Sequence, residues 1–190
     1  MASRGRFRVL ASGRGGLGVV ELGSFVAYRA MLAGKRASVV PTYGPQTRGG
    51  KVDVMVVEAF DMVENPVPME FDALIAVDSP ALESLDRIVD GGLVLYNEPL
   101  VRPSRIDRLR AFSVDGTEIA EEVGAGKLRE PRVLTSSALM GAFVAALGDG
   151  SRLGAEDAIR AALAGRPAEI VELNLEAARR GRAHLRGPIV

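Results

Sequence analysis

Gly13, Gly15 and Gly18 in the stretch SGRGGLG (12–18) fit the spacing G-x-G-x-x-G, and Gly16 adds a fourth glycine inside it. Backbone without side chains can approach a phosphate closely. A helix that begins at such a loop adds free N–H groups and the positive end of its dipole. The same spacing also suits a tight strand-to-helix turn in which glycine serves packing alone. A second loop, PTYGPQTRGG (41–50), holds one cation, Arg48, ahead of Gly49 and Gly50. Arginine presents a planar fork suited to phosphate oxygens; the plainer reading is a long turn with a solvated arginine. A nicotinamide site would place an acid about 20 residues after the glycines to hold the ribose. No Asp or Glu lies between Glu21 and Asp53, so only an NADP site using Lys35 or Arg36 would remain. No Gly-Lys-Ser/Thr follows the glycines, which excludes a P-loop.

Composition removes other chemistries. The 190 residues contain no cysteine, so this chain supplies no thiolate nucleophile, disulfide or cysteine-ligated cluster. The one histidine, His184, lies in RRGRAHLRG and lacks co-ligands for a metal; a solvated helix end is its expected place. Lys+Arg and Asp+Glu balance at 24 each, without the basic footprint of a nucleic-acid binder. Hydrophobic residues make up 47% and charged residues 25%, the profile of a folded globular chain, and no apolar run reaches the length of a membrane span. The opening MASRGRFRVL lacks the apolar core of a signal peptide. The expected location is the cytoplasm.

The elements that must position the two loops can be read from periodicity. RFRVLAS (6–12) reads as a strand, and Val19, Leu22, Val26 and Ala30 recur at helical spacing up to Gly34. Strands are expected at 36–43, 52–59, 72–78, 93–98 and 110–116. Ser79 and Pro80 start a helix through ALESLDRIVD that the glycines at 91–92 end. EIAEEVG, SSALMGAFVAALG and a long segment from Ala155 to Gly181, broken at Pro167, complete the helices. Asp78 and Asn97, at the ends of two strands, are expected to cap the segments after them. Strands alternating with helices predict an α/β fold: a Rossmann-like, largely parallel sheet flanked by helices, in one domain spanning 1–190. SSALMGAFVAAL is apolar beyond one helical stripe and is expected to be core or interface, and self-association of the isolated chain is expected.

In order and spacing, GRGGLGVV and YGPQTRGG resemble the two glycine motifs of the gamma subunits of 2-oxoacid:ferredoxin oxidoreductases, the pyruvate and 2-oxoglutarate type. FDALIAVD, GGLVLYN and EIVELNLEAARRG match later stretches of that family. Leu17 stands where the family usually has glutamine, Gln46 where it often has glutamate, and Ser136 near a customary asparagine. The resemblance implies a subunit of a complex that oxidatively decarboxylates a 2-oxoacid to an acyl-CoA and reduces ferredoxin. It implies partners of the alpha, beta and delta type, which carry thiamine diphosphate and iron–sulfur clusters. At this chain it implies coenzyme A, held by Gly13, Gly15, Gly16, Gly18, Arg48 and Gly49, with no catalytic residue and no metal. The isolated chain is then expected to be catalytically silent. The alternatives are a stand-alone NADP-dependent oxidoreductase, for which no tyrosine has a lysine four residues on, and a non-catalytic assembly or nucleotide-sensing subunit.

Overall fold

A computed structural model describes residues 5–44, 49–104, 106–148 and 154–189. Its strands are β1 (Arg6–Arg14), β2 (Arg36–Tyr43), β3 (Lys51–Ala59), β4 (Phe71–Ala76), β5 (Ile88–Asn97), β6 (Arg110–Val114) and β7 (Arg186–Ile189). The helices are α1 (Val19–Leu32), α2 (Gly116–Gly124), α3 (Thr135–Leu147), α4 (Ala155–Ala162) and α5 (Ala168–Ala183). The strands form one sheet in the order β2-β3-β1-β4-β5-β6-β7. β1, β4, β5 and β6 run parallel at its centre, as expected for the α/β class. The flanks are antiparallel: β2 and β3 form a hairpin beside β1, and β7 returns along β6.

Alternation along each strand divides the apolar residues between two faces. Val9, Ala11, Val54, Val56, Ile75, Leu95 and Val114 point into a core shared with all five α-helices. Leu10, Met55, Leu74, Val94 and Tyr96 point the other way, under Ala81, Val101 and Leu109. That second face is covered by a 3-10 segment, Ser79–Arg87, and the connection from β5 to β6.

The 3-10 segment corrects the expected helix over 81–90. The N-cap is Asp78 rather than Ser79: Asp78 Oδ1 accepts from the Ser79 N–H at 2.6 Å, the capping role expected of Asp78, with Pro80 in the first turn. The stop also differs. Ile88 is buried and pairs with Phe71 as the start of β5, so the chain gains a sheet partner three residues earlier than the glycines suggested. Gly91, at φ +75°, belongs to an irregular stretch of β5 rather than a helix end. Asn97 is fully buried at the carboxyl end of β5. Its Nδ2 donates to Val77 O at 3.0 Å and Thr117 Oγ1 at 2.9 Å, and its Oδ1 accepts from Gly116 N–H at 2.9 Å. One amide thus ties β4, β5 and the start of α2 together with its polar atoms satisfied.

The apolar α3 segment is core. Almost all of it is buried, and it crosses α5 so closely that an added Cβ on Gly141 would collide with the Ala178 carbonyl, and one on Gly181 with the Ala138 carbonyl. Ser137 Oγ donates to Asn174 Oδ1 at 2.6 Å across the same contact. The exposed large apolar side chains lie elsewhere. Phe60, Met62, Val67 and Met69 occupy the β3–β4 connection, at the end of the sheet away from the glycine loop.

Backbone carbonyls cannot step aside as side-chain tips do, so Gly141→Ala is expected to lower stability by about 1–3 kcal/mol or more. Urea unfolding monitored by circular dichroism should show a lower midpoint with an unchanged m-value. A wild-type midpoint would mean that α3 and α5 separate at no cost.

Candidate ligand site at the glycine loop

The loop from Gly13 to Gly18 leaves the carboxyl end of β1 and enters α1, and its four glycines are not equivalent. An added Cβ at Gly13 would stand 2.9 Å from Val77 Cβ and 3.2 Å from the Asp78 nitrogen. One at Gly18, where φ is +73°, would stand 2.9 Å from Ser136 Cβ. Both ends of the motif are therefore fixed by packing. Gly15 is different, with Val52 Cγ2 at 3.6 Å, an ordinary contact, and Gly16 has nothing within 4 Å. Gly16 still needs its glycine, because φ is +97°. The middle of the loop presents bare backbone to open space, and Gly18, as the N-cap of α1, offers no side chain to its N–H groups.

The second loop lies beside the first. It is the tip of the β2–β3 hairpin, where Gly44 N–H donates to Lys51 O at 2.8 Å. Gly15 N–H donates to Gly50 O at 3.1 Å, joining the two loops by backbone. Gly49 adopts φ +67°, and an added Cβ there would meet nothing within 4 Å. Arg48 and Gln46, both singled out in the sequence, lie outside the described residues.

Clefts open on either side of the loop. The larger, about 610 Å³, has Gly15, Gly16 and Gly18 at one edge. Phe25, Tyr43, Val52 and Leu163 supply its apolar lining, and Glu21, Ser24 and Arg166 its polar groups. The smaller, about 410 Å³, lies between Gly15–Leu17 and the residues Glu121 and Arg129–Arg132. Arg132 is paired with Glu121 at 2.8 Å. Arg14 is likewise engaged, by Asp78 Oδ2 at 3.3 Å, so the cation inside the motif is held by the same carboxylate that caps the 3-10 segment.

Glu21 is the functional candidate that pattern reading passed over. It occupies the first turn of α1, and Ser136 Oγ lies 3.2 Å from its Oε2. Burial pushes its carboxyl above the ordinary value of 4.5, against smaller opposing effects of the Ser136 hydrogen bond and the charge of Arg166. The signal was indirect: an acid in the first turn is ordinary, and Ser136 is 115 residues away.

Lys35 and Arg36 cannot serve a cofactor at this loop. They precede or begin β2, which reaches the loop only at Tyr43, about 23 Å further on at about 3.3 Å per residue. Lys35 Nζ is also paired with the buried Glu58 at 3.1 Å. The NADP alternative therefore loses its cation. His184 ends α5 in solvent, with Nδ1 2.9 Å from Arg180 O. Among the described residues no cluster of His, Asp and Glu suits a metal, and no helix is long and apolar enough to cross a membrane.

A glycine loop at the end of a central parallel strand, bonded to a second glycine loop and flanked by clefts, defines an α/β domain of the open-sheet type with its candidate site at the strand's carboxyl end. The family model for pyruvate ferredoxin/flavodoxin oxidoreductase matches residues 8–184, and the chain belongs to that family. It is 34% identical to the ketoisovalerate oxidoreductase subunit VorA of Methanothermobacter marburgensis over 170 residues, 89% of this chain and 34% of that one. The chain thus spans about a third of that curated relative. A crystal structure of the keto/oxoacid ferredoxin oxidoreductase gamma subunit from Geobacter sulfurreducens PCA is 28% identical. It covers 95% of this chain and 96% of its own, with a TM-score of 0.78. The fold also matches, at 21% identity and a TM-score of 0.79, the Magnetococcus marinus 2-oxoglutarate:ferredoxin oxidoreductase with 2-oxoglutarate, coenzyme A and succinyl-CoA bound. That likeness covers 95% of this chain and 31% of the other.

The glycine geometry predicts an ordered series in thermal stability. Gly15→Ala should melt within a degree or two of wild type, whereas Gly13→Ala and Gly18→Ala should each lose several degrees, the second through strain at positive φ as well. Equal losses at all three positions would make the whole motif a packing device.

The raised Glu21 carboxyl sets a pH dependence of the less common sign. The folded state holds this proton more tightly than the unfolded chain. Ionised Glu21 therefore costs no stability below pH 4.5, and a growing amount as pH rises from there through the folded value. Glu21→Gln should accordingly unfold at higher urea concentration than wild type at pH 7, with the difference shrinking toward zero at pH 4. A variant less stable at pH 7 would reverse the assignment.

Proposed function

We propose that the chain, residues 1–190, is the gamma-type domain of a cytoplasmic 2-oxoacid:ferredoxin oxidoreductase and that it helps bind coenzyme A. In that complex a 2-oxoacid is oxidatively decarboxylated to an acyl-CoA and electrons pass to ferredoxin. Alpha-, beta- and delta-type partners carry thiamine diphosphate and the iron–sulfur clusters. The observation that carries the reading is the open middle of the glycine loop. Gly15 and Gly16 expose backbone where packing does not require it, beside an uncapped helix N-terminus, in a chain of this family. The Magnetococcus marinus relative of the same fold holds coenzyme A, though likeness at that identity speaks for fold alone.

The residues present fit the group. A diphosphate suits the backbone at Gly16 and the N–H groups of the first turn of α1, the Gly15 N–H being held by Gly50 O. The apolar lining of the larger cleft suits an uncharged arm such as pantetheine, and Gly49 adds no side chain beside the loop. When bound, coenzyme A supplies the thiol that accepts the acyl group. This chain has no cysteine and so supplies no thiol of its own; its part is to hold and orient.

The test is Arg48 in the reconstituted complex. A charge-assisted hydrogen bond to phosphate contributes about 1.5–3 kcal/mol. Arg48→Ala should therefore raise the KM for coenzyme A roughly ten- to hundred-fold while leaving the KM for the 2-oxoacid nearly unchanged. Arg48→Lys should recover part of the loss, since a point charge cannot replace a planar fork. Unchanged coenzyme A kinetics in both variants, with the complex intact, would remove Arg48 from the site.

A further inference from the structure

Glu21 stands in the wrong place for an anion site unless it is neutral. It lines the same cleft as Gly15, Gly16 and Gly18, within the first turn of the helix whose N–H groups would meet the diphosphate. The hydrogen bonds around it describe how neutrality is accommodated. Ser136 Oγ lies 3.2 Å from Glu21 Oε2 and 3.0 Å from Val133 O, and a hydroxyl has one proton to give. With Glu21 ionised, the serine serves one acceptor and abandons the other. With Glu21 protonated, its O–H donates to Ser136 Oγ, the serine donates to Val133 O, and each group is satisfied.

The other groups facing Glu21 do not replace that proton. Arg166, from the turn between α4 and α5, is the one cation lining the cleft among the described residues, and it is solvent-exposed, where water screens it. Tyr43 from β2 lines the cleft, and Ser24 on α1 is turned to Val20 O at 3.1 Å. Partial burial already raises the proton affinity of this carboxyl in the free protein, and an adjacent diphosphate adds a second push in the same direction.

Resting on the coenzyme A reading above, we propose that Glu21 determines the charge preference of this cleft. It takes up one proton from solvent when the diphosphate of a coenzyme-A-type ligand settles on the N-terminus of α1. Glu21 is then a positioning residue that couples affinity to pH. The cleft accepts a diphosphate fully only with the carboxyl neutral and disfavours any ligand with further negative charge beside it.

The experiment uses dephospho-CoA, whose diphosphate lacks the titrating monoester of coenzyme A, and the complex containing the full chain. Calorimetry in two buffers of different ionisation enthalpy should show uptake approaching one proton per ligand. Kd should weaken by about tenfold per pH unit above the carboxyl pKa of the free protein. Glu21→Gln should bind with no proton uptake and a Kd that is flat with pH, tighter than wild type at pH 8. A flat wild-type Kd without uptake overturns the inference while leaving coenzyme A binding in place, and so does a linkage that persists in Glu21→Gln. Absence of binding by the wild-type complex at every pH would instead sink the coenzyme A reading and this inference with it.

Discussion

The molecule depends on one constraint: the chain must leave the central strand β1 and enter α1 within a turn that has no room for side chains at either end. Gly13 lies against Val77 and the Asp78 nitrogen, and Gly18 against Ser136. These two contacts set α1 onto the ends of β4 and α3 and so fix the mouth of the site. The packing and ligand-binding readings of the motif therefore divide it by position. Its ends are occupied by protein, and its middle is not: Gly15 has only ordinary contacts, and Gly16 faces open space. The Gly15–Gly50 hydrogen bond carries the constraint to the hairpin tip, so the second glycine loop is placed by the first.

Much of this was legible because it is local. Period-two alternation located the strands, and the β1–loop–α1 unit was readable from glycine spacing and the apolar repeat after it. What escaped depends on distant partners. Whether Ile88 ends a helix or starts β5 is decided by Phe71, and the 3-10 turn wins because strand pairing buries Ile88. The short strand β7 has no pattern of its own and exists because β6 offers an edge at Ala111 and Ser113. The apolar surplus of α3 was readable, but its destination was not. Gly141 and Gly181 lie 40 residues apart in sequence and declare their purpose only when the two helices cross.

The site divides in the same manner. Glycines at Gly13, Gly15, Gly16 and Gly18 are visible as a motif. Their separation into packed and open positions is not, because the neighbours come from β4, α3 and the hairpin. The absence of a ribose-binding acid was readable, and the sheet supplies its spatial counterpart. β2 presents Tyr43 at the loop, while Lys35 and Arg36 sit at the other end of the strand. Glu21 was the opposite case, a residue with nothing unusual in its spacing whose environment is set by Ser136 and Arg166.

Two electrostatic effects meet in the first turn of α1, and their balance gives the site its character. The helix end favours negative charge by about 0.3–1 kcal/mol at an exposed site and falls off within a turn. Partial burial of Glu21 opposes its ionisation, and the net direction is upward. Burial thus weakens the hold of the helix end on its own acid, and the field of that end remains directed at the space above Gly16. A solvated aspartate or serine at position 18 would cap the helix and close that space, as N-cap residues do. Ser136 forbids any side chain there, so the contact that packs α3 against the loop is also what leaves the N–H groups of α1 available to a ligand.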